Sequence, residues 1–340
     1  MKAREKYIDI IKGISIVCIV LLHYEEGIFP KELNIWIGSF MITSFYFTSG
    51  WLIGMSNKSQ TVRAHIKKRS HSLVVPYVWF SIIILVFDII FVLIGEFDIK
   101  IFYRDVYKFF TLRGIGTLWF IPALLGGEII FIYFKNKKLI FKLLIILITI
   151  VYLSGYNYWQ EIYAYKNEFF RIIDAPFCML YNIARAWPVI MLAYYIYVHA
   201  NSIILKLSRL QIAIVSILFM TISYFTANYL YVFNIDINDV IWLFVAPVIG
   251  PFGLLLFVKL TENFIINKFF NFWGKNSLIL MLTHYSIVME ICIVINKFWF
   301  NEDTLFGING LIFFAITIII EYPIVYFINN KAKFLLGKSS

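Results

Sequence analysis

Apolar residues fall into ten runs along the chain, at about 8–26, 33–55, 73–95, 118–134, 139–156, 176–198, 210–232, 240–258, 277–296 and 308–329. Most are close to the ~20 residues that an α-helix needs to cross a bilayer. Short polar segments separate them, and no stretch between them is long enough for a soluble domain. The pattern predicts an all-α, polytopic membrane bundle of about ten transmembrane helices, with residues 1–340 forming a single transmembrane domain.

The charges between the runs set an orientation. With the N-terminus inside, the inner segments carry 19 Lys and Arg residues, opposed only by Glu5 and Glu262. The outer segments carry eight basic residues against thirteen acidic ones. Inner loops of membrane proteins are enriched in Lys and Arg. Both termini are therefore expected in the cytoplasm, and the protein in the cell (inner) membrane as a multi-pass component. The net charge of +10 is a topology signal, which argues against nucleic acid as a partner. It also offers a cytoplasmic surface to an anionic ligand. The two longest outer segments, about 96–117 and 157–175, are rich in aromatic and charged residues and suit re-entrant or interfacial packing. Cys18, Cys178 and Cys292 are widely spaced within apolar runs and form no metal or disulfide pattern.

Several polar residues interrupt the runs. The first carries Asp9, Lys12 and His23. Eleven residues separate Lys12 from His23, about three helical turns, so the two share a face roughly 16 Å apart along the axis. Asp9 is three residues before Lys12, within pairing reach. The second run holds Ser49 and Gly50, small enough for a neighbouring helix to approach closely. The fourth opens Leu118-Trp119-Phe120-Ile121-Pro122, with Pro122 in the first turn, where its missing donor is harmless. Arg185 lies near the middle of the sixth run, where a partner carboxylate or a bound anion is expected. His284 and Glu290 lie in the ninth, Glu321 in the tenth, and Asp88 and Glu128 in the third and fourth. Ionisable groups at membrane depth usually face a bundle interior or a water-filled path. Such a set points to a polar cavity handling protons, ions or a polar substrate. A transporter or a lipid-linked sugar flippase meets that description as well as an enzyme does.

Five motifs in order resemble those of the integral-membrane acyltransferase-3 family. They are Ile8-Asp-Ile-Ile-Lys-Gly13 with His23, Ser39 to Gly50, Lys68-Arg-Ser-His-Ser-Leu-Val-Val-Pro-Tyr77, Leu118 to Ala123, and Gly274-Lys-Asn-Ser-Leu278 with His284. Most of the family has Arg where Lys12 stands. Lys there is similar to the branch related to fucose 4-O-acetylases, which usually has His-Met-Pro where this chain has Met41-Ile42-Thr43. A second loop arginine of the family corresponds to Ser72.

The resemblance implies a membrane O-acetyltransferase, with acetyl-CoA as cytoplasmic acyl donor and no metal. The acceptor it implies is a sugar hydroxyl of a surface glycan or its lipid-linked precursor. On that expectation His23, Lys12 and Asp9 are the catalytic candidates. His23 would serve as general base or take the acetyl group covalently. Arg69, Lys68 and Arg185 are donor-binding candidates, with Lys12 or Arg185 at a phosphate or the thioester oxyanion. His284, Glu321, Trp119 and Glu290 are acceptor-binding candidates. His284 is expected to pack against Glu290 or Glu321.

Overall fold

In a computed structural model the chain is described at residues 5–24, 29–56, 61–164, 168–233, 239–300 and 307–338. A backbone within lipid must satisfy its own hydrogen bonds, and helices do so within one segment. Each of the ten apolar runs indeed coincides with a helix, and no strand occurs among the described residues. Eight helical segments among those residues are long and apolar enough to cross a membrane. Two of the ten runs stand outside that group. The second is diluted by Ser39, Thr43, Ser44, Thr48 and Ser49. The eighth lies on a helix, Asp239–Thr261, whose stretch Ala246–Thr261 is apolar.

The helices cluster into two units. The first comprises residues 1–58, 188–280 and 306–314. It contains α1 (Lys6–Tyr24) and α2 (Lys31–Met55). Later helices contribute to it, and the chain passes between units within three of them. These are α8 (Glu168–Ile204), α9 (Arg209–Phe233), α10 (Asp239–Thr261), α11 (Ile266–Lys275), the start of α12 (Ser277–Thr283) and the start of α14 (Gly307–Lys331).

Missing side chains set the closest seam of this unit, between α1 and α11. A Cβ on Gly13 would fall on the Phe270 carbonyl, and one on Gly274 would fall on the Asp9 carbonyl. The two helices therefore meet backbone to backbone, as small residues allow when lipid supplies no hydrophobic driving force. Gly50 plays the expected part on α2: a Cβ there would strike the Ile190 carbonyl of α8. Several polar atoms in these apolar helices bond locally or across one seam. The buried Ser44 and Thr48 hydroxyls donate to the Phe40 and Phe45 carbonyls at 2.8 and 3.1 Å. Trp36 Nε1 donates to Ser223 Oγ of α9 at 3.2 Å, and Ser216 Oγ donates to the Gly253 carbonyl of α10 at 3.0 Å. Trp51 Nε1 donates to the Tyr7 hydroxyl at 3.0 Å. The Lys259 ammonium lies 4.9 Å over the Tyr7 ring, a cation–π contact that lets a lysine stay near an apolar wall.

The second unit comprises residues 59–187, 281–305 and 315–340. It contains α3 (Val62–Arg69), α4 (Val75–Leu93), α5 (Ile99–Phe110), α6 (Phe120–Lys135) and α7 (Leu139–Trp159). The first part of α8, the end of α12, α13 (Glu290–Phe300) and the rest of α14 complete it. The basic stretch before Pro76 is helical: α3 opens with Thr61 Oγ1 accepting from the Ala64 amide and runs through a π-helical turn, Ser70–Val74, into α4. The segment 96–117 holds α5, whose N-cap Asp98 accepts from the Lys100 amide at 2.8 Å. The described part of the segment at 157–175 is helical. A π-helical turn, Gln160–Ala164, follows α7 directly, and α8 begins at Glu168. At 37 residues α8 reaches about 55 Å, well beyond the ~30 Å hydrocarbon core. Tyr152 of α7 donates to the Phe177 carbonyl of α8 at 2.7 Å, and Trp187 Nε1 donates to Thr149 Oγ1 at 3.0 Å.

Candidate functional site

The candidate residues divide between the units: Asp9, Lys12 and His23 belong to the first, and the other seven to the second. In the first, α1 is continuous from Lys6 to Tyr24, so the eleven-residue offset from Lys12 to His23 is a helical offset as expected. Asp9 is buried, Lys12 is half-buried and His23 is exposed in the last turn. Of the residues around His23, Ile19, Val20 and Tyr24 are buried and Leu21 and Leu22 half-buried. A helix packed on most of its circumference thus leaves one imidazole accessible at its end. Residues 25 and 26, the end of the run read from sequence, lie outside the described residues.

In the second unit the basic helix α3 is fastened to α6 by a buried carboxylate. Glu128 accepts from Arg69 through both oxygens, Nε to Oε2 at 2.7 Å and Nη2 to Oε1 at 2.6 Å. His65 Nε2 lies 2.8 Å from the same Oε2. His65 and Arg69 are four residues apart on α3, so both reach one point on α6. Glu128 is 1% exposed and His65 is also buried. Bidentate pairing to arginine gives geometric definition as well as energy. Arg69, expected at the donor, is thereby committed to Glu128. Its neighbours Lys67 and Lys68 are exposed, as is Arg63. Sequence reasoning had singled out Glu128 and Arg69 but missed His65. The spacing of His65 and Arg69 on one helix face was the available signal.

His284 is buried and opens a π-helical turn, His284–Met289, inserted between α12 and α13. Such single π turns are frequent at functional positions. Thr283, the residue before it, donates from Oγ1 to Glu321 Oε2 at 2.8 Å. Glu321 is buried on α14, and its Oε1 has no hydrogen-bond partner among the described residues. The short 3₁₀ turn Gly116–Trp119 braces this region. Thr117 Oγ1 donates to the Met281 carbonyl, and Gly116, at φ +52°, has no room for a Cβ against Ser286 Oγ. Trp119 is half-buried at the end of that turn, and Pro122 falls in the first turn of α6 as expected.

Glu290 sits elsewhere in the unit, within the field of Asp105 and Arg104 of α5 and of Asp88 of α4. Asp105 is buried and holds Arg104 at 2.8 Å and Lys108 at 2.9 Å. The hydrogen bond to Asp105 holds the Arg104 guanidinium above its ordinary range. Burial pushes the Lys108 ammonium down, against the pull of the same carboxylate. Arg185 has no carboxylate partner among the described residues. Its guanidinium lies 5.5 Å over the Tyr181 ring, and the side chain is exposed.

No curated protein and no solved structure matches the chain. A family profile described as an acyltransferase domain matches residues 5–327. The match runs from the turn before α1 to within α14, and so takes in the α1 stripe, the α3–α6 clasp and the π turn at His284 together. A helical membrane protein matched to that profile over nearly its whole length belongs to the acyltransferase-3 family, and is a membrane acyltransferase.

Proposed function

We propose that the acyl group is acetyl, the donor cytoplasmic acetyl-CoA, and the acceptor a sugar hydroxyl of a surface glycan or its lipid-linked precursor. The observation that carries this reading is the α1 stripe. It offers an accessible imidazole at one end of a membrane-spanning helix and a cation about three turns away. A sugar hydroxyl must lose its proton as its oxygen attacks the thioester carbonyl. A neutral imidazole suits that role near pH 7. The His23 imidazole takes the hydroxyl proton. The carbonyl carbon gains the sugar oxygen and loses the coenzyme A sulfur, and the imidazolium returns the proton to the departing thiolate. Covalent acetylation of His23 followed by transfer to the sugar reaches the same products. Lys12, about three turns from His23, can hold a donor phosphate, and Asp9 supports Lys12 one turn before it.

The exposed Arg63, Lys67 and Lys68 of α3 supply a positive surface for the polyanionic donor. Arg69 contributes by holding that helix on Glu128. The topology proposed has both ends in the cytoplasm of a cell-membrane protein, which puts Lys12 nearer the donor side and His23 nearer the acceptor side. Lys12 in place of Arg favours the branch related to fucose 4-O-acetylases. The test is label transfer from radioactive acetyl-CoA in membranes containing the protein. Label appearing in the glycan fraction is expected. Donor turnover with no labelled sugar would contradict the acceptor assignment.

A further inference from the structure

The helix α11 joins two apolar helices and is itself too short to cross a membrane. It lies between the apolar stretch Ala246–Thr261 and the span Ser277–Phe298, and its ten residues rise only ~15 Å. The turn before it is held where α1 begins: Lys6 Nζ donates to the Glu262 carbonyl at 3.0 Å. Its contact with α1 falls at Gly13, about 10 Å along that helix from Lys6. Helix α11 therefore lies at the membrane boundary, at the level where acyl chains meet headgroups.

Its inward row is Asn267, Phe270 and Gly274, at offsets of three and four residues. Asn267 Nδ2 donates to the Thr261 carbonyl at the end of α10, and Gly274 meets the α1 backbone. The outward side carries Ile265, Phe269 and Phe272, again four and three apart. Ile265 is 81% exposed and Phe269 40%, while Phe272 is half-buried. Phe269 and Phe272 both rest on the buried Trp273, with ring centroids 6.2 and 5.0 Å away. Lys268 and Lys275, two turns apart, form an exposed row beside the apolar one. No acidic residue occurs in the sequence between Glu262 and Glu290.

A basic row beside an exposed apolar one selects the partner. A soluble polyanion would answer the lysines and leave Ile265 and Phe269 in water. A neutral lipid would cover the apolar row and leave the lysines without counter-charge. An anionic phospholipid meets both rows. We propose that α11 is a seat for an anionic phospholipid, with acyl chains along Ile265, Phe269 and Phe272 and the phosphate against Lys268 and Lys275. Filling the seat holds α11 on α1 at Gly13, beside Lys12, and so supports acyl transfer. On the proposed topology the lipid belongs to the inner leaflet. Lipid binding itself does not rest on the acetyl-CoA reading.

The full chain in detergent is titrated with phosphatidylglycerol and with phosphatidylcholine, and native mass spectrometry reads the bound lipid. Acyl transfer is then read in nanodiscs of phosphatidylcholine alone and of phosphatidylcholine mixed with phosphatidylglycerol. Wild type should prefer phosphatidylglycerol and transfer faster in the mixed nanodiscs. A lysine at an anionic surface is worth about fivefold in binding, so Lys268→Gln combined with Lys275→Gln should weaken phosphatidylglycerol about 25-fold. That variant should bind phosphatidylcholine as wild type does and lose the difference between the two nanodiscs. Phe269→Ser should weaken both lipids. An unchanged preference for phosphatidylglycerol in the double lysine variant would overturn the seat. So would a raised donor KM with unchanged lipid binding, which would give the lysines to the phosphates of a soluble donor. Selective binding with equal transfer in both nanodiscs would overturn the support of α1.

Discussion

Glu128 shows how one buried carboxylate can decide the placement of a functional surface. Its two oxygens are taken by Arg69 and His65, which fix α3 and so the exposed lysines beside them. Removing one partner of a buried pair costs about 3–5 kcal/mol, because the other charge is stranded, whereas replacing both by apolar groups is often neutral. Thermal melts of purified protein should therefore rank Glu128→Leu and Arg69→Met each well below wild type, with the double variant above both singles. Additive losses in the double variant would contradict the pairing. Donor affinity should respond to Lys68→Ala through the donor KM at unchanged stability, since that side chain is exposed. An unchanged donor KM would limit the basic stretch to setting topology. The charged members of these clusters were legible in the sequence because charge in an apolar run is conspicuous. Their partners were not: His65 lies in a polar stretch, Thr283 is unremarkable in an apolar one, and both are joined to residues far along the chain.

The helices themselves were legible because lipid leaves an apolar run of ~20 residues little alternative. A helix lies on each of the ten runs among the described residues, and the small residue Gly50 marks a close approach as its size suggested. Interfacial segments were harder to read. The stretch at 157–175 showed its aromatic and charged composition but not its helices; its described residues are helical, and Trp159, Tyr163 and Phe170 pack on one another there. The amphipathic α11 was read only as part of an inner basic loop. Its docking on α1 depends on two glycines more than 250 residues apart, which no local pattern connects. Gly13→Ala and Gly274→Ala each put a methyl group onto a backbone carbonyl and should cost at least the ~1–3 kcal/mol of overpacking. Reduced melting temperature with loss of acyl transfer is expected. A wild-type melt for Gly13→Ala would show that α1 and α11 can separate without penalty.

For the molecule as a whole, the acyltransferase family and the apolar helices account for a membrane enzyme, and the distribution of basic residues supplies its proposed orientation. With the three native cysteines replaced, Asn136→Cys in the α6–α7 turn should label only after permeabilisation, and Lys100→Cys on α5 should label from outside. The reverse pattern would invert the proposed roles of the two faces. The central claim is that the accessible imidazole at the end of α1 performs the proton transfer of the reaction. Acetyl transfer from labelled acetyl-CoA by His23→Gln membranes, at matched expression and melting temperature, tests it most directly. The account predicts a fall of about 10²–10⁴-fold, the range of a lost general base, or more if the histidine carries the acetyl group. Transfer at the wild-type rate would contradict it and leave α1 as a wall of the site.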